Sequence, residues 1–244
     1  MESAIFHNMK RIGIVGGGQL GRMLAQSAQN MGYHVTTLDA GTDGPAAQVS
    51  NVHINAPYTD AAAIRRLADM VDILTFEIES ADAETLRAIA RERPESVHPS
   101  PETLTIIKDK FSQKEFLRSH GIPVADARLV HDDLSIEEAG RDYGYPLILK
   151  SRYGAYDGRG NATIRDALEI PAALKKLQGA SLYVERFVPF VKELAVVAAR
   201  SVTGECKNYP VVETVHEHHI CHTVTMPAPV SDVAREQAEH IALR

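Results

Sequence analysis

A glycine-rich turn near the N-terminus has the residue pattern of a phosphate-binding loop. Gly16, Gly18 and Gly21 fit G-x-G-x-x-G, directly after the apolar run 11–15 and at the start of a helical pattern. Glycines let the backbone approach a ligand closely, and a helix N-terminus attracts an anion. With Asp39 about 20 residues further on, the pattern fits a nicotinamide or flavin enzyme. Two alternatives stay open: another phosphorylated ligand, or a tight turn that binds nothing.

Two carboxylates, Glu77 and Glu79, follow the apolar run 71–76. Ligands of open parallel sheets lie beyond the carboxyl ends of the strands. These acids could therefore accept hydrogen bonds from a substrate hydroxyl or amine. The alternative is that they are solvated loop side chains.

A second glycine loop, residues 150–161, combines cations with tyrosines. After Lys150 it contains three glycines, two arginines, two tyrosines and one aspartate. A lysine at a strand end binds phosphate as a point charge, and a glycine loop can close over phosphates. The Walker pattern is absent. This density of charged and aromatic residues favours a functional loop over a structural turn.

Two segments further along the chain are candidates for a ligand site. In the first, Phe187 and Val188 could line an adenine slot. Glu185 and Glu193 could accept hydrogen bonds from the base and the sugar of a nucleotide. The alternative is that these four are ordinary strand-edge residues. The second, residues 216–222, reads HEHHICH and in one extended strand would put alternate residues on each face. The side chains on either face could bind a zinc ion, but their spacing matches no structural zinc pattern. A polar strand and turn near a ligand site is the favoured interpretation.

The order of predicted elements indicates an α/β chain in two parts. The first hundred residues alternate strands with helices, which implies βαβ units and a parallel sheet. One of these helices follows the apolar spacing of Leu20, Met23, Leu24, Ser27 and Met31. The rest is α+β, with a capping box predicted at 135–138 and strands at 147–151, 182–185, 194–200, 207–212 and 220–225. We place the boundary after residue 108.

Composition excludes several classes of protein. The 244 residues are 44% hydrophobic and 24% charged, with a net charge of −6 and two cysteines. These values are typical of a globular protein and argue against disorder, a nucleic-acid surface and a disulfide framework. The apolar runs fall short of the roughly 18 residues that span a membrane, and the N-terminus lacks a secretory signal. We therefore expect a cytoplasmic protein.

The motifs together resemble N5-carboxyaminoimidazole ribonucleotide synthetases, which are ATP-dependent purine-biosynthesis enzymes of the ATP-grasp superfamily. The segments that carry the resemblance are GGGQLGRM, TFEIE, DK-x-x-QK, LILKSRYGAYDGRGN and YVERFVPFVKELAVV. In fungi this enzyme forms the first half of a fused phosphoribosylaminoimidazole carboxylase. The resemblance implies a Rossmann-like pre-ATP-grasp domain at 1–108 and an incomplete ATP-grasp domain at 109–244, whose small lobe spans about 123–184.

The resemblance also implies a reaction. The family uses ATP and bicarbonate to carboxylate the exocyclic amine of 5-aminoimidazole ribonucleotide, through carboxyphosphate. We expect Mg²⁺ as a cofactor, a homodimer in the intact enzyme and a possible fused mutase domain downstream. No metal ligand is assigned within the chain, because the family's magnesium acids would lie beyond Arg244. This piece alone should therefore have little synthetase activity.

Roles for individual residues follow from the same resemblance. Substrate binding is assigned to Gly18, Gln19, Leu20, Glu77 and Glu79. The reactive members of the second loop are Tyr156, Arg159 and Asp157, with Asp157 as the proton acceptor for the amine. ATP binding is assigned to Lys110, Lys150, Ala155, Gly158, Gly160, Asn161, Glu185, Arg186, Phe187, Val188, Glu193 and His216. His218, His219 and His222 are alternatives to His216 as the ATP-contacting histidine.

Overall fold

A computed structural model of the chain describes residues 10–154, 160–217 and 220–244. The contacts divide the chain into two compact units, Met1–Asp109 and Lys110–Arg244. The division falls between two helices. Asp109, which separates them, is buried and has an extended backbone. The boundary predicted after residue 108 lies one residue earlier.

The described part of the first unit is built around four parallel strands. Its elements in chain order are β1 (Arg11–Val15), α1 (Gln19–Asn30), β2 (His34–Asp39), β3 (Val52–Asn55), α2 (Ala61–Met70), β4 (Ile73–Phe76), α3 (Ala83–Glu92) and α4 (Pro101–Lys108). The strands lie in the order β3-β2-β1-β4. The last three residues of β1 and the middle four of β2 are buried in succession, as expected of a parallel sheet covered on both faces.

The second unit is mixed and largely antiparallel. Its described elements are α5 (Lys110–Ser119), β5 (Ala127–Val130), α6 (Asp133–Tyr143), β6 (Leu147–Ser151), β7 (Asn161–Ile164), α7 (Ile170–Lys176), β8 (Leu182–Arg186), β9 (Glu193–Ala195), β10 (Ala198–Arg200), β11 (Cys206–Asn208), β12 (Val212–Glu217), β13 (Ile220–Thr225) and α8 (Asp232–Leu243). Strands β5-β8-β6-β7 form one sheet, β13-β12-β9 a second and β10-β11 a third. None of the helices in the described ranges is long and apolar enough to cross a membrane.

Several predicted elements differ in detail from the structure. The strand predicted at 207–212 is wrong: Tyr209, Pro210 and Val211 separate β11 from β12, and Pro210 has no N–H to donate to a sheet. The single strand predicted at 194–200 is two strands in the structure, β9 and β10. Helix α6 begins earlier than predicted, because the Asp132 side chain accepts from the Ser135 N–H and Oγ of Ser135 accepts from the Asp132 N–H.

Each unit has an apolar core that should dominate its stability. Leu149 on β6 is fully buried, whereas Leu168 is 89% exposed in the same unit. We expect Leu149→Ala to lower the free energy of unfolding by about 2–5 kcal/mol and Leu168→Ala to lower it by less than about 0.5 kcal/mol. Urea denaturation followed by circular dichroism measures both. Equal losses would contradict the assigned core.

Candidate functional site

The glycine turn of the first unit lies at the carboxyl edge of the parallel sheet, between β1 and α1. Gly16 has a φ of +102°, a conformation that favours glycine. A Cβ on Gly16 would lie 2.8 Å from Cγ of Glu77. A Cβ on Gly21 would lie 2.7 Å from the Gly16 carbonyl oxygen, so this glycine lets α1 pack against the turn.

Two carboxylates bind the backbone of this turn. The Gly17 N–H donates to Oδ2 of Asp39 at 3.0 Å, and the Gly18 N–H donates to Oε1 of Glu77 at 3.0 Å. Asp39 ends β2 and Glu77 follows β4, the two strands that flank β1. The two amides that the sequence suggested for an anion are therefore already bonded to anions. In this conformation, the turn favours a ligand that donates hydrogen bonds to the carboxylates.

Burial raises the pKa of the Glu77 carboxyl, and the nearby carboxylates of Asp39 and Glu79 raise it further. The hydrogen bond from the Gly18 N–H acts in the opposite direction, because it stabilises the ionised form. A hydroxyl or amine that donated to Glu77 would relieve part of the cost of its charge. Glu77 therefore has the environment of a substrate-binding acid.

An open apolar groove of about 460 Å³ adjoins Glu77. Its walls include Leu20, Met23 and Leu24 of α1, and the first two of these are 60% and 56% exposed. The small residues Gly21, Ala25 and Ala28 form the buried face of α1 instead. The apolar spacing correctly predicts the helix, but only tertiary packing puts Met23 and Leu24 beside a carboxylate at the surface.

The raised pKa of Glu77 predicts a pH-dependent effect of Glu77→Gln. At pH values between the pKa of Glu77 in the unfolded chain and its higher pKa in the folded protein, the folded protein binds more protons than the unfolded chain. The contribution of Glu77 to stability therefore falls as the pH rises through this range. The uncharged variant should match wild type near about pH 4 and be more stable at about pH 7.5, since the new side-chain amide oxygen can still accept from the Gly18 N–H. Urea denaturation at both values tests this, with Glu79→Gln as control. A variant that is less stable than wild type only at the higher pH would contradict it.

In the second unit, one carboxylate lies between two lysines. Oε2 of Glu185 on β8 is 3.3 Å from Nζ of Lys150 on β6, and its Oε1 is 3.0 Å from Nζ of Lys114 on α5. The side chains of Glu185 and Lys114 are only 13% and 14% exposed. Each oxygen of Glu185 is therefore close to one lysine, and the role of its side chain toward a base stays a prediction. Lys114 is absent from the candidates drawn from the sequence, although it is the last residue of the DK-x-x-QK motif.

Two cavities adjoin the cluster formed by Lys114, Lys150 and Glu185. The first, called the lysine cavity, has a volume of about 350 Å³ and is lined by Lys110, Lys114, Lys150, Gln113, Tyr183 and Glu185, among others. The second, called the hinge cavity, has a volume of about 560 Å³. Candidates from the sequence that line it are Lys150, Asn161, Glu185, Arg186, Phe187, Val188 and Glu193. Thr163, Arg165, Lys176 and Phe190 also line it and were not singled out from the sequence.

The hinge cavity combines cationic, apolar and acidic walls. Lys150 and Lys176 carry ammonium groups, and the Lys176 Nζ donates to the Asn161 carbonyl at 2.9 Å. Phe187 and Val188 also line the cavity and are half-exposed. Pockets of this volume and mixed lining bind small molecules.

Glu193 connects the hinge cavity to the histidine segment. Its Oε1 accepts from the Thr214 hydroxyl at 2.8 Å and lies 3.2 Å from Nδ1 of His216. The segment is not one extended strand, because Glu217 of β12 pairs with Ile220 of β13 and the register shifts after Val215. Within the ranges that the structure covers, no three His, Cys, Asp or Glu side chains are grouped to hold a metal ion. His218 and His219 lie outside the described residues.

The second glycine loop is described only at its two ends. The Ser151 N–H donates to the Gly160 carbonyl at 2.8 Å, which joins the strands β6 and β7 on either side of the loop. The candidates Ala155, Tyr156, Asp157, Gly158 and Arg159 lie outside the described residues. Their assigned roles stay predictions.

Comparison with protein families matches both parts of the chain. Residues 9–108 match the ribonucleotide synthetase preATP-grasp domain, and residues 115–244 match the ATP-grasp domain. A phosphoribosylaminoimidazole carboxylase from Ogataea methanolica is 44% identical over 95% of this chain and 43% of its own length. An N5-carboxyaminoimidazole ribonucleotide synthase from Bacillus subtilis is 34% identical over 100% of this chain and 64% of its own length.

Solved structures give the same result. A carboxyaminoimidazole ribonucleotide synthase from Aspergillus clavatus complexed with ATP is 40% identical, with a TM-score of 0.90 over 96% of this chain and 62% of that one. A structure from the same organism, with ADP and 5-aminoimidazole ribonucleotide, is 38% identical with a TM-score of 0.88, over 97% of this chain and 62% of that one. The predicted resemblance and fold class are confirmed. The chain spans less than two thirds of the length of these relatives.

Proposed function

Because this chain belongs to the ATP-grasp family, we propose that it is the nucleotide- and ribonucleotide-binding part of an enzyme that carboxylates 5-aminoimidazole ribonucleotide with ATP and bicarbonate. The product would be N5-carboxyaminoimidazole ribonucleotide, an intermediate of purine biosynthesis. The observation that carries this proposal is the hinge cavity, where residues from separate motifs (Lys150, Asn161, residues 186–188 and Glu193) line one space.

ATP would occupy the hinge cavity and extend toward the lysines. Lys150 would bind phosphate oxygens, with Lys110 in the adjoining lysine cavity as the second cation. Phe187 and Val188 would contact the adenine ring, and Glu193 would accept from the ribose hydroxyls. Because lysines engage the Glu185 carboxylate, the base would bond to backbone groups of residues 185–188. His216 would contact ATP beside Glu193, since its Nδ1 lies 3.2 Å from the Glu193 carboxylate.

The ribonucleotide would bind at the glycine turn of the first unit. Its hydroxyl or amine groups would donate to Glu77, with Glu79 nearby, and an apolar part would lie against Leu20. Gln19 and Gly18 would contribute from the start of α1. The phosphate would point away from the turn, because the turn's amides are bonded to carboxylates and Glu77 would repel a second anion.

The proposed chemistry requires positioning and exclusion of water. Bicarbonate attacks the γ-phosphorus of ATP, which releases ADP and forms carboxyphosphate. The amine nitrogen then bonds to the carboxyl carbon, phosphate leaves, and Asp157 accepts the amine proton. Carboxyphosphate is short-lived in water, so Tyr156 and Arg159 would belong to a loop that covers it.

Magnesium would arrive with the ATP phosphates. The described residues do not group three acids around a common point, so they do not by themselves form a magnesium site. A homodimer, a fused mutase domain and a cytoplasmic location complete the proposal by analogy with the family.

Calorimetric titration separates this proposal from the dinucleotide alternative. Wild-type protein should bind ATP and 5-aminoimidazole ribonucleotide saturably and should not bind NADH. Saturable binding of NADH without ATP binding would favour an oxidoreductase and overturn the proposal. The full-length protein should release ADP only when bicarbonate and the ribonucleotide are both present.

A further inference from the structure

We propose that Lys114 is a positioning residue of the nucleotide site, which acts through Glu185 and through helix α5 on the two lysines expected to bind phosphate. The inference rests on the proposed function. Lys114 has no assigned role in ATP binding, yet it makes the shorter of the two ion pairs of Glu185, at 3.0 Å against 3.3 Å for Lys150.

Charge is the first part of the argument. With Glu185 as its only close partner, Lys150 would form a neutral pair and attract a phosphate weakly. Lys114 shares the same carboxylate, so the three side chains carry a net charge of +1. The pairs are mostly shielded from water, where opposite charges interact more strongly than at the surface. Lys114 therefore draws Glu185 toward α5 and leaves the Lys150 ammonium available to the hinge cavity.

The second part concerns the position of α5. Helix α5 has no buried residue, so apolar burial does little to fix it. Its contacts with the sheet include the Lys114–Glu185 ion pair and the packing of Phe111 against Tyr183, with ring centroids 5.7 Å apart. Lys110 begins the same helix and lines the lysine cavity. An ion pair one helical turn away from Lys110 therefore helps to fix where Lys110 lies.

Lys114→Met in the full-length protein tests this role by calorimetry with ATP and with adenosine. We expect ATP affinity to fall by about tenfold or more, because Glu185 would then pair with Lys150 alone and neutralise it, and adenosine affinity to change by less than about twofold. Lys114→Arg should restore ATP affinity to within about threefold of wild type, since it keeps the charge and the donor. The control is Lys175→Met, an exposed lysine of α7, which should bind both ligands as wild type does.

A double-mutant cycle tests whether Lys114 acts through Glu185. In a Glu185→Gln background, Lys114→Met should change ATP affinity by less than about threefold, because the shared carboxylate charge is gone. The same loss in both backgrounds would overturn the positioning role, as would an equal loss of ATP and adenosine binding or an unchanged ATP affinity in the single variant. Failure of the wild-type protein to bind ATP would instead contradict the proposed function.

Discussion

Lys150→Met is expected to weaken ATP binding by about 100-fold, because it removes a partly buried cation that faces phosphate oxygens. It should also leave Glu185 paired with Lys114 alone, which makes the local charge one unit more negative. Calorimetric titration of the full-length protein with ATP measures the loss. Affinity for 5-aminoimidazole ribonucleotide should stay within about twofold, because Lys150 is not among the residues expected to bind it.

Lys176→Met is the matched control for Lys150→Met. Lys176 lines the same cavity, but its ammonium donates to the Asn161 carbonyl and its expected role is structural. We expect this variant to lose less than about threefold in ATP affinity. Equal losses in the two variants would show that the cavity attracts ATP only by its overall positive charge, and would contradict a specific role for Lys150.

Gly16→Ala has the second large expected effect, on ribonucleotide binding. An alanine here adopts a φ of +102° and places its Cβ 2.8 Å from Cγ and 2.9 Å from Oε1 of Glu77. Glu77 must move, which breaks its hydrogen bond with Gly18 and misplaces the expected substrate acceptor. We expect the affinity for 5-aminoimidazole ribonucleotide to fall by about 30-fold or more, as measured by calorimetry.

Gly41→Ala separates this clash from backbone strain. Gly41 has a φ of +99°, and a Cβ there would meet no atom within 4 Å. Both variants should lose about 1–2 kcal/mol of stability from the backbone conformation. Only Gly16→Ala should also lose ligand affinity, whereas Gly41→Ala should bind within about twofold of wild type. A similar loss of binding in both variants would indicate that general destabilisation, and not Glu77, is responsible.

Local sequence patterns predicted the elements of this protein well where neighbouring residues decide the outcome. The glycine turn, Lys150 at a strand end and the helix predicted from the spacing of Leu20, Met23 and Leu24 all depend on residues that are close together in the sequence. Strand β5 was missed, and the strand at 207–212 was misplaced across Pro210. Short strands gain their stability from partners that are distant in sequence, so local pattern alone does not fix them.

The sequence by itself determined the fold class and the glycine turn after β1, because both depend on residue types at fixed spacings, while the family resemblance supplied residues 185–188, which line the hinge cavity. Only the tertiary structure decided that Asp39 and Glu77 bind the turn's amides and that Lys114 shares Glu185 with Lys150. These contacts join residues that are 22 to 71 positions apart in the sequence and belong to separate elements. A pattern along the chain carries no information about which charges meet across such distances, because packing of the intervening elements sets them.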